Sequence, residues 1–153
     1  MTMIPTRRGP ACLAALALAL AAGGCGRRAG TWNDDPGNWK RIFQGPKPAG
    51  VEMVHSWYWR SPHFTLECEY FAVIASNGTF WADLTRDGAL EAVTDPAARE
   101  ASTNGFFHAR PAWFAPGPLE DYDIWQFSTE PRMNFRVLRH RATGSVHLHD
   151  GIL

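Results

Sequence analysis

His147 and His149 stand two apart in Val146-His147-Leu148-His149. In an extended strand such residues leave the same face, and two imidazoles so placed offer nitrogen ligands to zinc or copper. A metal site needs at least a third donor; spacing fixes none nearby, and Asp150 alternates to the other face. The pair therefore reads as part of a solvated, half-polar sheet face, with metal ligation as the alternative. Glu67 and Glu69 repeat the spacing with carboxylates, which divide acid and base roles only where their surroundings push their pKa values apart. Thr65 keeps that face polar, so an exposed acidic stripe is expected.

Nucleophiles are no better placed. Cys68 alternates with Phe64, Leu66 and Tyr70, which predicts a buried, inert thiol. Ser56 follows His55 directly, and neighbours on a strand face opposite sides, so they cannot pair as nucleophile and base. The sequence has no Gly-x-Ser-x-Gly elbow, no Cys-x-x-Cys pair, no His-Glu-x-x-His and no phosphate-binding glycine loop. No catalytic residue and no cofactor is assigned.

The segment His55-Ser56-Trp57-Tyr58-Trp59-Arg60-Ser61-Pro62-His63 is the most distinctive. Trp57 and Trp59 fall on one face with Val51 and Met53 and are expected in the core, although such rings also stack on sugars or hold a peptide. Tyr58, Arg60 and His63, at an edge and a turn, are expected to be accessible. Together with Trp113 of the Pro111–Pro118 loop they form the candidate binding surface.

These residues need a scaffold. An acidic cap, an early proline and apolar spacing predict a short helix within 34–43, stopped by Gly45-Pro46. Alternation predicts strands over 51–59 and 64–75, the second turning continuously apolar from Phe71 as a central strand would. The segment 79–87 is open between helix and strand; Phe80, Trp81, Leu84 and the following Gly88 favour a helix. Asp95-Pro96 starts another. Pro111–Pro118 cannot be regular structure and is expected to lie across the domain as a packed cover. A strand over 122–128 follows, then a hairpin over 135–148. A three-residue loop Ala142-Thr143-Gly144 would pair Arg141 with Ser145 and put Leu138 and His140 on one face with Val146 and Leu148, opposite His147 and His149. Helices interspersed with hairpin-joined strands predict an α+β fold, a single small domain over 32–153 with a mainly antiparallel sheet.

Composition agrees. The 153 residues carry 15 basic and 15 acidic groups, and all 19 aromatic residues lie at or after Trp32. A chain starting at Cys25 keeps 13 basic against 15 acidic groups, a net charge of −2. That excludes a broad basic face for nucleic acid.

Residues 1–24 read as an export signal: Arg7 and Arg8, an apolar run over 11–22, then small residues. The run is shorter than the ~20 residues that span a bilayer. Ala22-Gly23-Gly24-Cys25 then resembles the lipobox of bacterial lipoproteins, with Ala22 where that pattern most often has Leu, Val or Ile. The resemblance implies that Cys25 becomes the acylated N-terminus, carrying palmitate-type chains, and that 25–31 form the lipidated start and a tether. Ordinary cleavage after Ala21 would instead release a soluble periplasmic or secreted protein. Gly26 lacks the aspartate that retains such proteins at the inner membrane, which implies the outer membrane, facing the periplasm. With Cys12 in the signal and Cys25 acylated, Cys68 has no disulfide partner.

The expected function is a lipid-anchored envelope protein with a non-enzymatic binding or structural domain, its partners the membrane and an envelope protein or glycan. The alternatives are a periplasmic hydrolase or metal-binding enzyme using His and carboxylate groups of the sheet, and a small inhibitor or immunity-like protein.

Overall fold

The computed structural model describes residues 29–63, 67–75, 78–86, 90–127 and 134–152. The expected signal, Cys25, Phe64, Thr65, Leu66 and Gly88 lie outside them.

Among the described residues, seven strands form one antiparallel sheet: β1 (Gly30–Asn33), β2 (Met53–Arg60), β3 (Cys68–Ile74), β4 (Leu90–Ala92), β5 (Tyr122–Phe127), β6 (Arg136–His140) and β7 (Val146–Ile152). Their order is β1-β2-β3-β7-β6-β5-β4. Two meanders, one of three strands and one of four, thus meet where β3 pairs β7 from Cys68↔Ile152 to Ile74↔Val146. β3 is central and covered on both faces, which explains its continuous apolar run. Among the described residues, three short α-helices accompany the sheet: α1 (Asn38–Phe43), α2 (Gly78–Thr85) and α3 (Pro96–Ala101). The helix expected around 79–87 is α2, and α3 starts at Pro96 with Asp95 Oδ1 accepting from the Ala98 amide, as the sequence predicts.

α1 starts later than expected. Asp34 takes a left-handed backbone (φ 46°) and its carboxylate accepts from the Ser56 amide at 2.8 Å, so the acidic pair belongs to the entry turn. Asn38, fully buried, donates through Nδ2 to Trp32 O and Ser56 Oγ, tying α1 to β1 and β2. The edge strands β1 and β4 have no counterpart in the sequence reading.

Each sheet face carries its own core. On one, α1 and α2 cover Tyr58, Tyr70, Ala72, Ile74, Val137, Val146 and Leu148. On the other, α3 and the chain that follows it cover Phe71, Tyr122, Ile124 and Leu138, with Phe114 and Ala115 of the Pro111–Pro118 loop all but inaccessible. That loop is the packed cover expected.

Two register errors reverse parts of the sequence reading. In β2 the pairing slips between Met53 and His55, a bulge at which Met53 stays with the α1/α2 face while Trp57 and Trp59 go to the cover face. In the last hairpin the His140 amide donates to Ser145 O, so the loop is Arg141-Ala142-Thr143-Gly144, one residue longer than expected, and Leu138 pairs His147 while Val137 pairs Leu148. A slip of one residue exchanges every side chain between faces. Leu138 therefore shares a face with His147 and His149, and that face is core, not the solvated surface expected for the two histidines.

Candidate functional site

Glu69 points into the cover face from β3, where it lies opposite Trp59 and Gly151. The expected acidic stripe does not form: Glu69 is 1% exposed, because α3 and the chain after it cover this face, whereas Glu67 lies before β3 and is half-buried. A buried carboxylate needs donors, and Glu69 has four. Oε1 accepts from the Phe107 amide and His149 Nε2, both at 2.9 Å, and Oε2 accepts from the His108 amide and His108 Nδ1, both at 2.8 Å. Burial pushes the Glu69 carboxyl up, but the bonds from His149, His108 and the two amides outweigh it and hold the group below the usual glutamate range.

Four bonds fill the acceptor sites of a carboxylate, so Glu69 has no lone pair left to take a substrate proton. His149 spends its Nε2 hydrogen on Glu69 and is 2% exposed, with Phe71 and Phe106 packed on its ring at 4.8 and 4.6 Å. Its Nδ1 has no hydrogen-bond partner among the described residues. The four donors converge on the carboxylate, not on a common point beyond it, and among the described residues no set of three or more His, Cys, Asp or Glu could hold a metal ion. The cluster is a latch: one side chain of the sheet pins the Phe107-His108 backbone of the cover.

Around the latch runs a row of rings. His108 sits between Trp57 and Trp59, at 5.0 and 4.6 Å, and Phe107 lies 5.4 Å from Trp59. At the other end of the row Trp113 stacks on His55, 5.2 Å apart and tilted only 20°. His55, Trp57, Trp59 and Trp113 are half-buried, and Phe107 is 57% exposed. Trp57 and Trp59 are thus neither core of the α1/α2 side nor free; they line an aromatic surface.

His147 is the other buried histidine. Its Nδ1 accepts from the Ala115 amide at 3.0 Å, which leaves the proton of the neutral ring on Nε2, 3.2 Å from Ser145 Oγ. Nε2 therefore donates to Ser145 and cannot serve as its base. Burial, with a smaller contribution from His140, lowers the His147 pKa from 6.5 to about 4.

The other expected binding residues scatter. Tyr58 is a correction: it is buried on the α1/α2 side, 5.9 Å from Trp32, because alternation turns it away from Trp57 and Trp59. Arg60 is half-buried and His63 exposed, both near the Ser61 turn, and Trp113 lies at the far end of the row. Cys68 is half-buried, not buried, and burial raises its thiol pKa. His108, Phe106 and Phe107 were missed. The signal was present in Gly105-Phe106-Phe107-His108, an aromatic run just after a helix, but nothing local shows that a strand glutamate meets it 38 and 39 residues away.

A scan against protein-family models and searches of curated proteins and of solved structures found no match to this chain.

Proposed function

We propose that this chain is a lipid-anchored envelope protein, held through Cys25 at the outer membrane and facing the periplasm, whose α+β domain is a non-enzymatic recognition module for another envelope component, a glycan or a protein. The carrying observation is the half-exposed row from Trp113 and His55 to Trp57, beside the cover segment that Glu69 latches to the sheet. Flat rings held in place present area for a sugar face or a peptide with little ordering cost. The saturated Glu69 and the donor role of His147 Nε2 speak against acid–base chemistry at the places where the sheet gathers histidine and carboxylate. The hydrolase alternative keeps one observation, the His149 Nδ1 that has no partner among the described residues, but that atom is buried and the Phe71 and Phe106 rings pack on the imidazole.

Two measurements test this. A photocrosslinking phenylalanine in place of Trp113, in the full chain and in cells, should give adducts that the same group in place of Glu91 does not; no adduct from position 113 would remove the row as a recognition surface. Cys25→Ser should move the protein from the membrane pellet to the soluble fraction, and unchanged fractionation counts against the anchor.

A further inference from the structure

The anchor and the sheet constrain one another. Only residues 26–29 separate Cys25 from Gly30, where β1 begins. At ~3.6 Å per residue that stretch reaches at most ~18 Å, about half the ~30 Å width expected of a domain of this size. A domain held so closely keeps the end at which β1 starts nearest the lipid. The strand register says what that end carries: Gly30 pairs Arg60, Arg60 pairs Cys68, and Cys68 pairs Ile152, one line across four strands.

That end has the chemistry of an interface-seeking surface. Among the described residues three large apolar side chains are exposed, and two of them belong here: Ile152, 49% exposed, on this line, and Phe107, 57% exposed, against Trp59 one residue inside it. The third, Val54, is at the opposite end, beside the Met53↔Ile74 pair. Arg60 and the exposed His63 add cationic or protonatable groups on the same rim, with Glu67 and the half-buried Asp150 offsetting that charge, and the sequence places Arg27 and Arg28 between Cys25 and β1. Aromatic rings and basic side chains together are what the headgroup region of an anionic bilayer accommodates.

We infer that this end of the sheet, carrying Phe107, Ile152 and Arg60, rests on the headgroups of the bilayer in which Cys25 is anchored. The inference rests on the lipid-anchor reading. It gives the domain a fixed posture, with Trp113 and His55 at the end of the aromatic row away from the lipid and open to the periplasm.

The test uses the full chain purified from membranes and reconstituted into vesicles of phosphatidylethanolamine and phosphatidylglycerol, part of the lipid brominated close to the headgroups. Phe107→Trp, Ile152→Trp and Val54→Trp are compared, each as the change in emission against the unsubstituted protein. The indole added at 107 or 152 should be quenched about threefold or more beyond that added at 54. Equal quenching at all three positions, in a protein whose intact mass carries the acyl chains, overturns the posture and leaves the anchor standing. An intact mass without acyl chains overturns the anchor, and the inference with it. Because 107 and 152 are both exposed and lie on different elements, agreement between them guards against one misfolded variant.

Discussion

Glu69 Oε1 and His149 Nε2 lie 2.9 Å apart across 80 residues of chain, with both side chains closed to solvent. This bond joins the two central strands, and through the other oxygen the same carboxylate holds the cover segment down. Polar groups in such a position contribute little beyond breaking even when intact, and cost much when one partner is removed.

Glu69→Gln turns one oxygen into a donor facing donors. It should lower stability by about 2–4 kcal/mol, read from the urea midpoint at constant m-value, whereas Glu67→Gln should stay within about 0.5 kcal/mol. Equal effects of the two substitutions would show that the latch is not a main support of the cover.

Stability should fall on mild acidification. Folded His147 takes up its proton only at about 4, against 6.5 for a free histidine, so between these values the unfolded chain binds the extra proton. The contribution is whole above pH ~6.5 and declines by roughly 1.4 kcal/mol per pH unit toward pH ~4. Glu69, held below its ordinary value, acts in the same direction further down: its contribution is present above the unfolded carboxyl pKa and is lost as pH falls through the folded one. Urea midpoints between pH 7 and pH 4 check this, and His147→Gln, which keeps an acceptor for the Ala115 amide, should remove about one proton's worth of slope. An unchanged slope would mean that His147 is not the group responsible.

The elements legible in the sequence are those with a local cause. Asp95 and Pro96 define the start of α3, the Phe80, Trp81, Leu84 spacing defines α2, and the apolar run after Phe71 marks the central strand. What failed depended on non-local pairing. A bulge after Met53 and one extra residue in the last loop each invert an alternation that is correct in itself, so the expected faces of Trp57, Tyr58, His147 and Leu138 were exchanged. Glu69 read as a surface residue because its four donors come from a histidine 80 residues on and from a segment nearly 40 residues on, and no spacing rule joins these.

Arg99 illustrates a support invisible to pattern. Its guanidinium donates to Val93 O at 3.3 Å, Leu119 O at 3.1 Å and Tyr122 O at 2.8 Å, closing the cover segment where it enters and leaves the sheet. A lysine carries the charge without the planar fork. Arg99→Lys should therefore cost about 1–2 kcal/mol, and a thermal midpoint indistinguishable from that of the parent protein would reduce these bonds to surface decoration.

The four-residue loop that joins β6 to β7 hinges on Gly144. Its φ of 70° lies in the left-handed region, and its amide donates to His140 O at 2.8 Å, closing the loop. A Cβ there meets the adjoining carbonyl, so Gly144→Ala should cost about 1 kcal/mol. The register should nonetheless survive, because a slip of one residue would tear His149 from Glu69 and carry Val146 and Leu148 out of the α1/α2 core, a far larger loss than a strained turn. Amide hydrogen exchange tells the two apart: protection along Val146–Ile152 should drop uniformly in Gly144→Ala, in step with the lower global stability. A changed pattern, with previously protected amides open and others newly closed, would show that the loop and not the buried carboxylate fixes the pairing.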